Sequence, residues 1–126
     1  AVGELLARLR AVLRGRDRRF TSQATLQAGE LHIDFARRKV MLFEDEVRLT
    51  PREYSLLLVL ARHAGRLVTR KQISTAVWGQ DDVDPQFVRV LVGQLRSKIE
   101  EEPAKPRLIV TEPNLGYRLM LEEPAD

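Results

Sequence analysis

Asp84-Pro85-Gln86-Phe87-Val88-Arg89-Val90-Leu91-Val92-Gly93-Gln94-Leu95-Arg96-Ser97-Lys98-Ile99 is the stretch whose reading decides the fold. Asp84 can cap a helix, Pro85 suits its first turn, and Val83 with Val88 forms an apolar staple across the entry. Placed at about 100° per residue, Val88, Val92, Leu95 and Ile99 share one narrow arc, which is the seam to be buried. The opposite arc holds Gln86, Val90, Gly93, Gln94 and Ser97, with Arg89 and Arg96 on one flank and Phe87, Leu91 and Lys98 around the other. A solvated helix face normally carries Glu and Lys, whereas this one is small, amide-bearing and partly apolar, with cations at its margins. The helix is expected to run to about Glu101, because Pro103 and Pro106 forbid continuation.

Two further helix starts precede it. Thr50-Pro51-Arg52-Glu53 is a capping box with proline in the first turn and Leu49 and Tyr54 as staple. Tyr54, Leu57, Leu58 and Ala61 then share a face, and the helix should stop near His63 ahead of Gly65. Thr69-Arg70-Lys71-Gln72 is a second box, stapled by Val68 and Ile73, for a short helix ending at Gly79.

Outside the helices the apolar period is two. Leu31, Ile33 and Phe35 alternate with His32 and Asp34, and Val40 and Leu42 follow the turn at Ala36-Arg37-Arg38. Glu44-Asp45-Glu46 reads as a second turn before Val47 and Leu49, with a further strand around Thr25–Gln27 completing a meander of three to four strands. At the other end Leu108 and Val110 oppose Ile109, and Pro113-Asn114-Leu115-Gly116 turns the chain into Tyr117–Leu121 as a hairpin. The fold class is therefore α+β: a winged helix-turn-helix with an N-terminal antiparallel sheet, three helices and a C-terminal β-hairpin wing.

Composition bounds the function. The chain's 126 residues, 44% hydrophobic, suffice for one domain with a core, and the absence of cysteine excludes disulfides, thiolate metal sites and a cysteine nucleophile. No run approaches the roughly 20 apolar residues of a membrane span and no signal peptide is visible, so a cytoplasmic location is expected. The net charge of +3 is unevenly placed: residues 1–20 hold six arginines against Glu4 and Asp17, a balance of +4, so the remainder sums to −1. The argument for an anionic partner therefore rests on local clustering, and Arg62, Arg66, Arg70, Lys71, Arg89, Arg96 and Lys98 form such a cluster against Asp81, Asp82 and Asp84.

The exposed face of the third helix suits the major groove of duplex DNA. Gly93 and Ser97 permit close approach, Gln94 or Gln86 can pair bidentately with adenine, and Val90 or Phe87 can touch a thymine methyl. Arg89, Arg96 and Lys98 can reach phosphates, and Arg96 alternatively guanine. The same face could instead dock on another protein, and a winged-helix interaction module without DNA binding is the alternative reading.

Four motifs in order resemble one family. They are Leu49-Thr50-Pro51-Arg52-Glu53-Tyr54-Ser55-Leu56-Leu57, Val77-Trp78-Gly79, Leu95-Arg96-Ser97-Lys98-Ile99 and Thr111-Glu112-Pro113-Asn114-Leu115-Gly116-Tyr117-Arg118. Together they look like the signature of the OmpR/PhoB response-regulator output domain, over residues 31–121. Pro103-Ala104-Lys105-Pro106-Arg107 and the Thr-Glu opening of the final turn most resemble the KdpE subgroup. The resemblance implies a transcriptional regulator of a two-component system in a bacterial cytoplasm, with a recognition helix over about 85–101 in the major groove and hairpin 107–121 as wing. It implies binding to direct-repeat half-sites as a homodimer on DNA. Carried over by position, Gln86, Phe87, Val90, Leu91, Gln94 and Arg96 occupy base-reading sites, while Arg70, Trp78, Arg89, Lys98, Thr111, Tyr117 and Arg118 would hold the DNA backbone. Asn114 stands at the wing tip. Pro113 replaces the arginine that many members place there, and Leu91 and Gln94 stand where many have histidine and arginine.

Gln80, Asp81 and Asp82 match the loop that in relatives can touch RNA polymerase; the equal alternative is that Asp81 and Asp82 serve the positive end of the third helix. Residues 1–14, with Leu5, Leu6, Leu9, Val12 and Leu13 in a stripe, look like the last helix of a receiver domain, which would be regulated by a sensor kinase; the stripe could also pair with its copy or fold back. Residues 15–24 read as a linker, 25–122 as the winged-helix domain and 123–126 as a tail.

An enzyme reading finds no phosphate loop, no metal-spaced set and no nucleophile elbow, so no activity, cofactor or metal is expected. His32 and His63 read as solvated, Trp78 as core or backbone contact, and Glu100-Glu101-Glu102 as a solvated helix end.

Overall fold

Each helix begins where its cap chemistry places it. The computed structural model describes residues 25–121, and the expected N-terminal helix, linker and tail lie outside them. Helix α1 (Pro51–Arg62) starts at a reciprocal capping box: the Glu53 amide donates to Thr50 Oγ1 at 3.2 Å and the Thr50 amide to Glu53 Oε1 at 2.9 Å. Thr69 and Gln72 repeat the arrangement at 3.1 and 2.8 Å for α2 (Arg70–Trp78), which Gly79 ends with a left-handed φ of 79°. Helix α3 (Pro85–Ile99) is capped by Asp84, whose carboxylate accepts the Gln86 amide at 2.8 Å.

Four antiparallel strands precede the helices: β1 (Thr25–Ala28), β2 (Leu31–Asp34), β3 (Lys39–Leu42) and β4 (Asp45–Val47), adjacent in chain order. The last turn sits one residue earlier than the sequence suggests. Phe43 and Glu44, at φ 51° and 71°, form it, and Asp45 and Glu46 belong to β4, paired with Leu42 and Met41. A two-residue loop with both φ values positive matches the right-handed twist of its strands. That geometry overrides the turn propensity of Asp45.

The hairpin of β6 (Ile109–Glu112) and β7 (Gly116–Leu119) is part of a three-stranded sheet in the order β5, β7, β6. Strand β5 (Leu67–Thr69) was not expected; it pairs Val68 with Tyr117 and Thr69 with Gly116. Three residues carry no readable period, and the pairing joins segments far apart in sequence. At Gly116 a Cβ would fall on Val68 O and within 2.9 Å of Thr69 Cα, so the close approach of β5 requires glycine there.

The core closes around α1. Leu56, Leu57 and Leu60 are fully buried, as α1 has both helices and the hairpin around it, whereas Leu58, expected on the buried face, is only half covered. Val88, Val92, Leu95 and Ile99 from α3, with Leu31, Ile33, Val68, Ile73, Ile109 and Leu119, complete one cluster. Each such side chain contributes about 1.5–3 kcal/mol of burial.

Helix α3 ends at Ile99, short of Glu101. Glu100 takes extended backbone angles and is 6% exposed, which corrects the expectation of a solvated end. Its carboxylate accepts the amides of Arg107 at 2.9 Å, Leu108 at 3.0 Å and Ile109 at 2.8 Å. One glutamate thus satisfies the backbone that leads from the helix into the wing.

Candidate nucleic-acid interface

Burying the Val88–Ile99 seam turns the opposite side of α3 outward. Gln86, Gly93, Gln94 and Ser97 are exposed, Phe87 is 58% exposed and Val90 47%. The Ser97 hydroxyl donates to Gln94 O at 2.7 Å, so it lies flat against its own helix. A Cβ at Gly93 would meet nothing within 4 Å, so nothing in the domain's own packing calls for glycine at this position. Leu91 departs from the sequence expectation. It is 5% exposed and packs in the core, because its arc lies nearer the seam than the outer face, so only its edge reaches the groove.

The margin cations are mostly engaged within the protein. Arg96 donates to Ile109 O at 2.8 and 3.2 Å and to Thr111 Oγ1 at 2.8 Å, and its guanidinium lies 5.8 Å from the Tyr117 ring centre. It braces the wing against α3. Lys98 is bound to Glu53 Oε1 at 2.6 Å, and Arg118 to Glu112 Oε2 and Gly65 O, each at 3.1 Å. Arg89 reaches back to Gln86 Oε1 at 2.8 Å, leaving both groups on the exposed face.

Glu53 is itself buried. Burial would raise its carboxyl pKa, but the Lys98 hydrogen bond, the Thr50 amide and the Lys98 charge outweigh that and hold the carboxyl below the ordinary glutamate range. Lys98 therefore faces a carboxylate that is charged at neutral pH.

The wing turns at Asn114, whose φ is 66°. Its tip is tethered to α2: the Arg70 amide donates to Leu115 O at 3.4 Å and its guanidinium to Asn114 O at 3.5 Å. Thr111 is exposed on the hairpin, whereas the Tyr117 ring is 6% exposed and forms part of the core. In the loop after α2, Gln80, Asp81 and Asp82 are exposed, and Asp81 lies 3.8 Å from Lys71.

Half-buried Trp78 meets Phe87 at 6.4 Å between ring centres, tilted by 35°. Arg52 lies over the other aromatic partner, 5.6 Å from the Trp78 ring centre. These residues line a groove with Thr50, Pro51, Gln86, Val90 and Gln94. Sequence reasoning named Trp78 and the α3 residues but missed Arg52. Nothing in Thr50-Pro51-Arg52 says that the start of α1 stands beside the end of α2.

Among the described residues no cluster of His, Cys, Asp and Glu could hold a metal ion, and no helix is long and apolar enough to cross a membrane.

The profile of the family described as "Transcriptional regulatory protein, C terminal" matches residues 44–119. The chain is 40% identical over 121 residues to the KDP operon transcriptional regulatory protein KdpE of Escherichia coli, covering 95% of this chain and 54% of that one. It is 44% identical over 119 residues to the sensory transduction protein RegX3 of Mycobacterium tuberculosis, covering 92% and 52%. The chain thus spans about half the length of the curated relatives it matches. Among solved structures it resembles the response regulator DrrB, a Thermotoga maritima OmpR/PhoB homolog, with a TM-score of 0.73 at 32% identity over 83% of this chain and 49% of that one. It also resembles the Klebsiella pneumoniae RstA DNA-binding domain, solved in complex with the RstA box, with a TM-score of 0.70 at 31% identity over 78% and 98%.

Proposed function

Because the chain belongs to the OmpR/PhoB family of response-regulator effector domains, we propose that it binds duplex DNA sequence-specifically and regulates transcription. The observation that carries this reading is the side of α3 that faces solvent: uncharged, low in profile, with two amides and two apolar side chains. In the major groove Gln94 and Gln86 are the groups able to pair with adenine edges, and Val90 and Phe87 those able to meet thymine methyls. Arg89, Arg70, Trp78 and Thr111 are assigned to phosphates in this reading, with Asn114 at the wing tip. Arg96, Lys98 and Arg118 act chiefly by fixing the helix and the wing.

The rest of the reading follows the family. Direct-repeat half-sites would be filled by two copies, a receiver domain under a sensor kinase would control the event in the cytoplasm, and Gln80, Asp81 and Asp82 would face RNA polymerase. No reaction is assigned to the domain.

Selection of bound duplexes from a random pool tests the proposal. Recovered sequences should share a repeated half-site, and affinity should fall as salt rises, because phosphate contacts release counterions. A chain that selects no sequence, or whose affinity ignores salt, would instead be a protein-interaction module.

A further inference from the structure

We propose that Arg52, in the first turn of α1, is a DNA-backbone contact that clamps one strand beside the Trp78–Phe87 pair. The inference rests on the DNA-binding reading above and extends it to a residue outside the recognition helix and the wing.

Three observations converge. Arg52 is the one charged side chain among the described residues that line the groove shared by Trp78, Gln86, Phe87, Val90 and Gln94. Its side chain makes no hydrogen bond or ion pair with any other described residue; its guanidinium only overlies the Trp78 ring at 5.6 Å. Two of the cations at the margins of α3, by contrast, are occupied: Arg96 by the wing and Lys98 by Glu53. A duplex whose base edges meet Gln86 and Gln94 must bring a sugar-phosphate strand along the wall of this groove. The wall's charge is Arg52, and a guanidinium resting on an aromatic face keeps its edge N–H groups free for phosphate oxygens.

The test measures affinity against salt for the wild-type chain, Arg52→Ala, Arg52→Lys and Arg37→Ala, each with a duplex recovered from the random pool and with mixed-sequence duplex DNA. Arg52→Ala is expected to weaken both duplexes about tenfold and to lower the slope of log affinity against log salt by about 0.9, one phosphate's share. Arg52→Lys should retain the slope, and Arg37→Ala, exposed in the turn between β2 and β3, should match wild type. A wild-type slope in Arg52→Ala overturns the inference while leaving DNA binding intact. A wild-type chain that binds neither duplex overturns both.

Discussion

The Glu53 carboxylate and the Lys98 ammonium meet at 2.6 Å, joining the first turn of α1 to the last turn of α3. Glu53 Oε1 also accepts the Thr50 amide, so one oxygen closes the cap of one helix and fixes the orientation of the other. The pair supplements the buried Val88–Ile99 seam that holds α3 against the domain.

That arrangement has a pH signature. The Glu53 carboxyl is held below the ordinary glutamate range in the folded protein, so it contributes stability that is fully present above the unfolded-state value and is lost as pH falls through the folded one. Stability measured by urea denaturation should therefore fall as pH drops below about 4.3. In Glu53→Gln that acid limb should be shallower. An identical limb in the two proteins would show that the pair carries no linkage.

Removing the Glu100 carboxylate leaves the amides of Arg107, Leu108 and Ile109 without their acceptor. Glu100→Ala should destabilise the domain by about 2–4 kcal/mol, since buried donors lose charge-assisted hydrogen bonds. Glu101→Ala and Glu102→Ala, both exposed, should fall within about 0.5 kcal/mol of wild type. Thermal melts of the three variants check the contrast, and equal losses would refute it.

Two glycines should respond in opposite ways to alanine. At Gly116 the new methyl meets the backbone of Val68 and Thr69, so β5 must part from β7 and the cost should exceed about 3 kcal/mol. At Gly93 the methyl enters open space within a helix, and the free protein should gain about 0.5–1 kcal/mol. The same methyl would thicken the face that enters the groove, so duplex affinity should fall as stability rises. A Gly93→Ala protein that is more stable and binds equally well would show that this face is not approached closely.

Base reading and backbone holding separate by mutation. Gln94→Ala should change which base is preferred at one position, at a cost of about 1–3 kcal/mol for the original site, whereas Arg89→Ala should weaken every duplex alike. Affinities for a panel of single-base variants of the selected site decide the matter. Uniform loss in both mutants would reject the assigned roles.

The legibility of this domain follows the range of the forces involved. Cap boxes at Thr50 and Thr69, the left-handed stop at Gly79 and the Val88–Ile99 seam are local, because the groups that interact lie within a turn or two of each other; the sequence alone determined those helices and which side of α3 would face outward. It also carried the four ordered motifs that mark the family. Tertiary structure decided what depends on distant neighbours. Strand β5 exists because Val68 finds Tyr117, Glu100 is buried because the chain returns over it, and Leu91 is drawn into the core by the elements packed around α3. Charge shows the division most clearly. Arginine and lysine look alike along a sequence, and only the packed chain separates Arg96 and Lys98, spent on internal partners, from Arg52, left facing the groove.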